Sequence, residues 1–499
     1  MHTATQTFFK KHKILIIIFL IALLARSVLF FINFHSNDYD LVPTIKGDDG
    51  YYELSRGVLL GHGFSWDAEP PFSPNPLRPP VWPLFIAALL YLFKSYFVVL
   101  FAQILIGSVI PLLGMRIVNK VIPSMKISII VGLLLALEPY SILFSSILYT
   151  ETFFIFLFFI FLLFFLDYLK NSTYRNIIWA ALFLGLATLT KPTVQYLPVV
   201  IPFFILWHFR KNITKRVFMQ IAVFIGIFML VIVPWLYRNY KEFGVVGMSA
   251  QPAFNLYVYL VPSVLSIENK TNFAQELKEF VRKDGFDENT ITLANSDYFI
   301  SRSVEVLRQH PVALLKSAVN SSVAFFTHDG ILTVLMYAGH VPSAYLSKPA
   351  VFLLFDSPSE FWGIFKKMIM SPLVLVLLGR IIWIIITFAA LYGAARLFME
   401  KKLGILGALT LFLIAYFVAT TAINGLGVNA RFRMPVNLFI FMFAAYGCLS
   451  AIRYIKGIKP FVPTSLGRHE KLRFARFSRR SSLVGIKIFT TKKQSPGSL

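Results

Sequence analysis

The chain has 499 residues, of which 57% are hydrophobic and only 14% are charged. This composition excludes an intrinsically disordered chain and argues against an ordinary soluble domain. The formal net charge of +24 would suggest nucleic acid as the partner of a soluble protein. Here much of that charge lies after Arg453, so anionic lipid headgroups are the expected partner and nucleic acid is not.

Apolar runs of about 20 residues recur along most of the chain, and each is long enough to cross a bilayer. The sequence therefore predicts an all-α polytopic membrane protein with about ten to twelve transmembrane helices. The single cysteine, Cys448, excludes a disulfide framework and a cysteine-rich metal site.

The first apolar run, at about 14–34, follows the lysines at 10, 11 and 13. A cleavable signal peptide is not expected because no A-x-A site follows, so we interpret the run as a helix. Residues 35–96 are acidic and are predicted to lie outside. Within them, 79–93 is too short to span and is predicted to lie along or dip into the outer interface.

Further spans are predicted near 97–118, 127–148 and 152–168, separated by basic loops that belong on the cytoplasmic side. Residues 176–209 cross out and back at the short limit for two helices. Lys191-Pro192 falls at the bend, which predicts a broken pair with Lys191 near the outer side. The remaining spans are predicted near 217–236, 373–397, 403–423 and 435–454.

The stretch between Tyr237 and Pro372 is ambiguous, because its apolar runs at 311–326 and 331–355 are interrupted by polar residues and a proline. It supplies either two more spans or none, and both choices leave the two termini in the cytoplasm. Four parts result: a membrane module, 1–236, with its outer loop, 35–96; an outer cap region, 237–372; C-terminal helices, 373–454; and a basic cytoplasmic tail, 455–499.

Candidate chemistry begins in the first outer loop, where Asp48 and Asp49 precede a predicted surface helix with an apolar stripe. These carboxylates either cap that helix or act at the boundary between water and lipid. Three residues favour a reaction: Arg78 in the same loop, Glu151 where an outward helix ends, and Lys191 at the bend.

Six segments extend this pattern, and they occur in the order seen in GT-C membrane glycosyltransferases. The chain resembles the subgroup that contains protein O-mannosyltransferases and the lipid A aminoarabinose transferase. The segments are Asp48-Asp49 with Tyr52, Pro76-Leu77-Arg78-Pro79-Pro80-Val81-Trp82-Pro83, Leu148-Tyr149-Thr150-Glu151, Leu189-Thr190-Lys191-Pro192, Pro234-Trp235-Leu236-Tyr237-Arg238-Asn239-Tyr240 and Ala430-Arg431-Phe432-Arg433-Met434-Pro435.

The resemblance implies a GT-C-like bundle that moves a sugar from a polyprenyl monophosphate to a lipid, glycan or protein acceptor on the outer face, with inversion. Asp48 matches the family's base, Arg78 a cation beside the lipid phosphate, and Glu151 the second acidic position. Asp49 is taken with them as catalytic and Tyr52 as substrate-positioning. The further candidates for binding the phosphate are Lys191, Arg238, Arg431 and Arg433.

Each of these residues also has a purely structural interpretation. Arg78 could snorkel to headgroups, Lys191 could be an interface lysine, and Glu151 could serve only at a helix start. The other three arginine candidates could be plain anchors on the outer face; they are Arg238, Arg431 and Arg433.

No cofactor follows with certainty, although a divalent metal is compatible with the paired carboxylates. In the aminoarabinose transferase, an acidic metal ligand precedes the phosphate-binding cation, whereas this chain has Leu77 there. A zinc ion of that type is therefore not expected, and the histidines lack ligand spacing. No appended soluble domain supports a protein acceptor.

Two other functions compete with glycosyl transfer. A transporter or lipid-linked glycan flippase would need many helices, but it should place its charges near the midplane, whereas the notable carboxylates here fall in outer loops. A non-catalytic membrane scaffold would keep the fold without the reaction. The bacterial cytoplasmic membrane is the expected location, because no eukaryotic retention signal or accessory domain is visible.

Overall fold

The computed structural model describes residues 2–47, 49–286, 290–339, 358–400, 404–425 and 429–457. Over these residues the chain is helical and contains no β-strand. Seven helices are long and apolar enough to cross a membrane. The predicted all-α, polytopic class is thereby confirmed. The helices that contain these seven segments are α1 (His2–Ser36), α5 (Tyr96–Val121), α8 (Glu151–Asn171), α11 (Lys215–Phe243), α19 (Val374–Met399), α20 (Ile405–Ala422) and α22 (Asn437–Ile455), the last extended by residues from Ala430 onward.

Shorter helices complete the membrane module. The predicted outer loop holds α2 (Leu41–Ile45) and α3 (Tyr51–Leu59), and the predicted interfacial segment forms α4 (Val81–Phe93). Four more short helices connect the long ones. They are α6 (Met125–Leu137), α7 (Pro139–Leu143), α9 (Tyr174–Thr188) and α10 (Leu197–His208).

The bend predicted at Lys191-Pro192 is present. Helix α9 ends at Thr188, and a single 3-10 turn, Pro192–Val194, separates it from α10. Proline cannot donate a backbone N–H, so the helix stops and Lys191 is left in extended backbone between the two helices.

The span predicted at 127–148 differs from the structure. Helix α6 stops at Leu137, and Glu138 then caps α7 by accepting hydrogen bonds from the backbone N–H and the hydroxyl of Ser141. Proline at position 139 ends α6, and the chain beyond Leu143 continues as buried non-helical backbone up to Glu151. A hydropathy window does not detect this interruption, because the residues on both sides of it are apolar.

The bundle is organised around α8 and α22, whose apolar residues are mostly buried. Helix α8 is rich in phenylalanine, and Phe154, Phe158, Phe161 and Phe165 are fully or almost fully buried. They stack on one another along one face of the helix. Helices α1, α11 and α19 instead leave much apolar surface exposed, as expected for helices that face lipid.

A second apolar cluster forms beyond α11. It contains Leu77 and residues from α12 (Gln251–Phe254), a π-helical turn (Asn255–Leu260), α13 (Val261–Glu268), α14 (Phe273–Asp284) and α15 (Ser296–Gln309). Through Leu77 this cluster, here called the cap, is joined to the first outer loop. The predicted domain division itself stays a prediction.

The ambiguous stretch also contains α16 (Pro311–Thr327), α17 (Ile331–Tyr337) and α18 (Pro358–Ile369). A turn at His328-Asp329-Gly330 joins α16 to α17. Asp329 is buried and pairs with Arg380 of α19, whose Nε lies 2.9 Å from its carboxylate. These two polar residues therefore hold α16 against the bundle. Residues 340–357, on which the second of the two optional spans depends, lie outside the described residues, as does the basic tail from 458 onward.

Helices α19 and α22 approach each other most closely at Gly393 and Gly447. A Cβ added at Gly393 would lie 2.0 Å from the carbonyl oxygen of Phe443, and one at Gly447 would lie 2.2 Å from that of Ala389. Because these obstacles are backbone atoms, no side-chain rearrangement can relieve the clash. Small residues permit such close backbone approach in membrane helices.

We expect Gly393→Ala to destabilise the protein by about 1–3 kcal/mol, because the added methyl group forces α19 and α22 apart. The matched control is Gly226→Ala on α11, where the added Cβ would meet nothing within 4 Å. Thermal unfolding in detergent, followed by size-exclusion chromatography, measures both variants. Equal midpoints for the two variants would contradict the packing argument.

Candidate active site

Among the described residues, the side chain of Asp49 does not cap the start of α3, which corrects one interpretation of that residue. The N-cap is Gly50, in left-handed backbone with φ of 74°, and it makes no side-chain cap bond. A Cβ on Gly50 would lie 2.7 Å from the Trp66 ring, so both conformation and space require glycine here. Asp49 is therefore available for interactions with other parts of the chain.

Arg78 binds the carboxylate and the backbone of Asp49. Its Nη2 lies 3.2 Å from Oδ1 of Asp49, and its Nε donates to the Asp49 carbonyl over 3.0 Å. Its Nη1 donates to Oε1 of Gln251 in the cap, over 3.0 Å. The backbone N–H of Arg78 donates to the buried Asn75 side chain. Arg78 thus connects the first loop to the cap and is fixed on several sides.

Glu151 is the first residue of α8 and is buried. Nζ of Lys191 lies 2.6 Å from its Oε1. The positive end of the helix dipole favours a carboxylate at this position. Lys191 also lies 5.2 Å from the centre of the Phe432 ring, so an aromatic face and a carboxylate together hold its ammonium group.

Arg431 joins the two carboxylates. It lies on α21 (Asn429–Arg433), and its guanidinium hydrogen-bonds to both Asp49 and Glu151. The same group lies 4.5 Å from the centre of the Tyr149 ring and 5.3 Å from that of Phe144. Arg431 therefore has two anionic partners and two aromatic partners that fix its position.

These five residues, Asp49, Arg78, Glu151, Lys191 and Arg431, form what we call the ion cluster. Among the described residues, its three cations and two carboxylates leave one positive charge in excess. Enclosed surroundings strengthen the attraction of that excess charge for an anion. A phosphate group is a suitable ligand, since guanidinium groups bind it in a bidentate manner.

The ion cluster changes the acidity of its members. Burial raises the pKa of Asp49, but the charges of Arg431 and Arg78 outweigh burial and hold that pKa below its usual value. Burial lowers the pKa of Lys191, and the neighbouring Glu151 only partly restores it. Asp49 is thus ionised at neutral pH and already paired with Arg78 and Arg431. A carboxylate held in this way positions cations better than it accepts a proton.

Arg238 lies beside a separate cavity of about 790 Å³. Its Nη1 donates to the Asn75 carbonyl over 3.3 Å, so Asn75 links it to Arg78, to which the Asn75 side chain is bonded. The guanidinium also lies over the Trp235 ring, 4.9 Å from its centre. The cavity walls are largely apolar. They include Val58, Phe72, Pro80, Val81, Leu84, Leu189, Val231 and Pro234.

Besides Arg238, two further predicted site residues lie apart from the ion cluster. Arg433 is fully buried, and its guanidinium donates to the carbonyls of Phe325 and His328 and stacks on Trp383. It therefore holds the C-terminal end of α16. Tyr52 stacks on Tyr96.

The predicted base, Asp48, lies outside the described residues. Its role stays a prediction, as do the roles assigned to the other site residues.

The zinc position of the aminoarabinose transferase does not fit this chain. Leu77 is packed in the apolar cap cluster and offers no ligand atom from its side chain. No group of three or more histidine, cysteine, aspartate or glutamate residues converges in the part of the chain that the structure describes. No step of the reaction is assigned to a metal here.

Residues 77–237 match the family model of dolichyl-phosphate-mannose-protein mannosyltransferases. The predicted resemblance is confirmed over this segment. Arg78, Glu151 and Lys191 of the ion cluster lie within it, and so does Arg238. No curated protein matches the sequence.

Several solved structures are similar to this chain. The oligosaccharyltransferase of Archaeoglobus fulgidus in complex with Zn and sulfate is 15% identical, with a TM-score of 0.48, over 95% of this chain and 51% of that one. ArnT from Cupriavidus metallidurans bound to undecaprenyl phosphate is 13% identical, with a TM-score of 0.36, over 91% of this chain and 84% of that one. The chain spans about half the length of the oligosaccharyltransferase.

We expect Glu151→Gln to destabilise the protein by about 3–5 kcal/mol, since Glu151 is buried and the substitution removes the carboxylate that the partly buried Lys191 and Arg431 share. The double variant Glu151→Gln/Lys191→Met should recover part of this loss, and thermal unfolding measures both. The control is Asp167→Asn, which breaks the part-exposed ion pair with Lys120 and should cost at most about 1 kcal/mol. Equal losses for Glu151→Gln and Asp167→Asn would refute the argument.

The stability contributed by Asp49 should depend on pH. Its pKa is lower in the folded protein than in the unfolded chain, so the contribution is complete above about pH 4 and declines as the pH falls through the folded value. We therefore expect the difference in unfolding midpoint between wild type and Asp49→Asn to stay constant above about pH 4 and to shrink as the pH falls below that value. Glu69→Gln, on an exposed part of the same loop, controls for loss of a carboxylate. A constant difference for Asp49→Asn would show that its ion pairs add no stability.

Proposed function

We propose that the protein is a membrane glycosyltransferase. It moves a hexosyl or pentosyl group from a polyprenyl-phosphate donor to a lipid, glycan or protein acceptor on the outer face of the membrane. The observation that carries this proposal is the ion cluster, whose excess positive charge lies at one end of an apolar bundle. Arg78, Glu151 and Lys191 also fall in the segment that matches the mannosyltransferase family model.

In the proposed reaction, Asp48 takes the proton of the acceptor hydroxyl while the acceptor oxygen bonds to the anomeric carbon. The bond between that carbon and the phosphate oxygen breaks, and the lipid phosphate leaves with the electron pair. Attack from the opposite side inverts the anomeric centre. The leaving group needs no proton, because its developing charge is held by Arg78, Lys191 and Arg431.

The two described carboxylates then have a positioning role in this scheme. Asp49 fixes Arg78 and Arg431, and Glu151 fixes Arg431 and Lys191. Cations that are already oriented need little reorganisation as charge develops on the phosphate.

The apolar cavity beside Arg238 supports a lipid-linked donor. Its walls suit isoprene units, and Asn75 connects Arg238 with Arg78. We propose that the first units of the prenyl chain lie there, with the phosphate between Arg238 and the ion cluster. No metal is assigned to the reaction. Activity that survives a chelator would support this part of the proposal, and activity restored only by zinc would contradict it.

The experiment that tests the function uses the full chain in lipid nanodiscs with polyprenyl-phosphate mannose, glucose and pentose donors. Release of polyprenyl phosphate measures turnover, with a membrane lipid extract as acceptor. We expect Asp48→Asn to lower turnover by about 10²- to 10⁴-fold, the usual contribution of a positioned base. Glu69→Gln, exposed on the same loop, should keep the wild-type rate.

The same preparation separates the competing functions. A flippase would move a labelled lipid-linked sugar across a vesicle bilayer without releasing polyprenyl phosphate. The donor would then stay intact with wild type and with Asp48→Asn alike. A scaffold would do neither. If Asp48→Asn released polyprenyl phosphate as fast as wild type, the assignment of Asp48 as the base would be overturned.

A further inference from the structure

The backbone that carries part of the ion cluster is not helical. Residues 144–150 join α7 to α8, and all seven are buried. Phe144 and Tyr149 of this segment lie against the Arg431 guanidinium, and the next residue along the chain is Glu151. We propose that Gln103 and Arg26, on two neighbouring helices, are positioning residues for glycosyl transfer because they fix this segment. The inference rests on the proposed function.

Gln103, on α5, is fully buried and bonds directly to the segment. Its Nε2 donates to the carbonyl of Phe144 over 2.7 Å and to the carbonyl of Ile147 over 2.6 Å. These two carbonyls lie on either side of a change in chain direction. One side chain therefore ties both halves of the segment to a long helix.

Arg26, on α1, is also fully buried and holds the beginning of the segment. Its Nε donates to Oγ of Ser145 over 3.1 Å, and its Nη1 donates to the carbonyl of Ala136, near the end of α6, over 3.1 Å. A Cβ on Gly107 of α5 would lie 2.4 Å from Oγ of Ser145 and 2.9 Å from Nε of Arg26. Glycine at 107 leaves the space in which these groups meet.

The physical need for such residues follows from the surroundings. In an apolar bundle, non-helical backbone is tolerated only where protein groups satisfy its hydrogen bonds. Polar and charged side chains are correspondingly rare on membrane helices and mark functional positions by default. Gln103 and Arg26 lie on two candidate spans, and both direct their donors at the segment or at the helix that leads to it.

The link to the reaction passes through Arg431. A shift of Phe144 or Tyr149 moves the aromatic faces on which the guanidinium lies, and a shift of Glu151 moves its carboxylate partner. A misplacement of about 1 Å can lower a rate on the order of a hundredfold. Loss of Gln103 should therefore reduce the rate of transfer more than it reduces binding of the donor.

The decisive variant is Gln103→Met, which keeps the volume and removes both donors. It should fold, because the Phe144 carbonyl still accepts from the Thr152 hydroxyl and the Ile147 carbonyl still accepts from the Tyr149 N–H. With polyprenyl-phosphate mannose, or whichever of the three donors wild type uses, we expect kcat to fall by at least about tenfold and KM to change by less than about threefold. Arg26→Met should behave similarly, and Arg26→Lys should restore part of the rate.

Gln220→Met is the matched control. Gln220 lies on α11, away from the ion cluster, and is equally buried. Its Nε2 donates to the carbonyl of Ser172 over 2.8 Å. This variant should lose a similar amount of stability and keep the wild-type kcat. Equal losses of kcat for the two glutamine variants, or a Gln103→Met kcat within about twofold of wild type, would overturn the proposal.

Hydrogen–deuterium exchange separates this inference from the proposed function, since it needs no turnover. Peptides covering 144–151 should exchange faster in Gln103→Met than in wild type or Gln220→Met. Unchanged exchange would overturn the positioning role even in an active enzyme. If wild type releases no polyprenyl phosphate from any of the three donors, the proposed function fails, whereas faster exchange would still show that Gln103 holds the segment.

Discussion

The shared guanidinium of Arg431 is the interaction on which the site depends. It bonds to Asp49 and Glu151, which lie 382 and 280 residues away along the chain. A charge buried among apolar helices is tolerated only when it is paired and hydrogen-bonded. Because Glu151 could not be buried here alone, the pairing draws the first loop, the start of α8 and the segment at Arg431 to one place.

The rest of the architecture supplies what that pairing needs. Asp49 is turned toward the arginines by a glycine at the N-cap of α3, and Lys191 is presented by the break between α9 and α10. Aromatic rings lie against Lys191 and Arg431 and help to fix their positions. Each of these features is local, but each has its effect at one end of the bundle, where two carboxylates hold three cations in fixed positions.

The sequence predicted the features that depend on apolar content and on proline. Most of the long apolar runs form helices. The chain bends at Lys191-Pro192, where the proline has no backbone N–H to continue the helix. The sequence failed where two neighbours in the chain have the same chemistry. Arg431 and Arg433 are two residues apart, and the sequence does not distinguish them. In the structure, Arg431 bonds to carboxylates and Arg433 bonds to backbone carbonyls.

Other residues were missed although a signal was present. Arg26 and Glu138 are charged residues inside apolar runs, and such positions are functional or structural by default. Gln103 gives a weaker signal, because a glutamine carries no charge and only its buried carbonyl partners reveal its role. The break after α6 was hidden because a hydropathy average does not respond to a change of direction between apolar residues. The partners of these residues and the direction of the chain depend on tertiary contacts, which cannot be predicted from composition.

The position of Arg431 near the end of the chain has a consequence for biosynthesis. As the ribosome delivers the helices one after another, Asp49 and Glu151 enter the bilayer long before Arg431, their common partner, is translated. Until the segment that carries Arg431 arrives, these carboxylates need shelter from lipid, either by pairing with Arg78 and Lys191 or by staying hydrated. Assembly of the ion cluster is thereby coupled to insertion of the segment that carries Arg431.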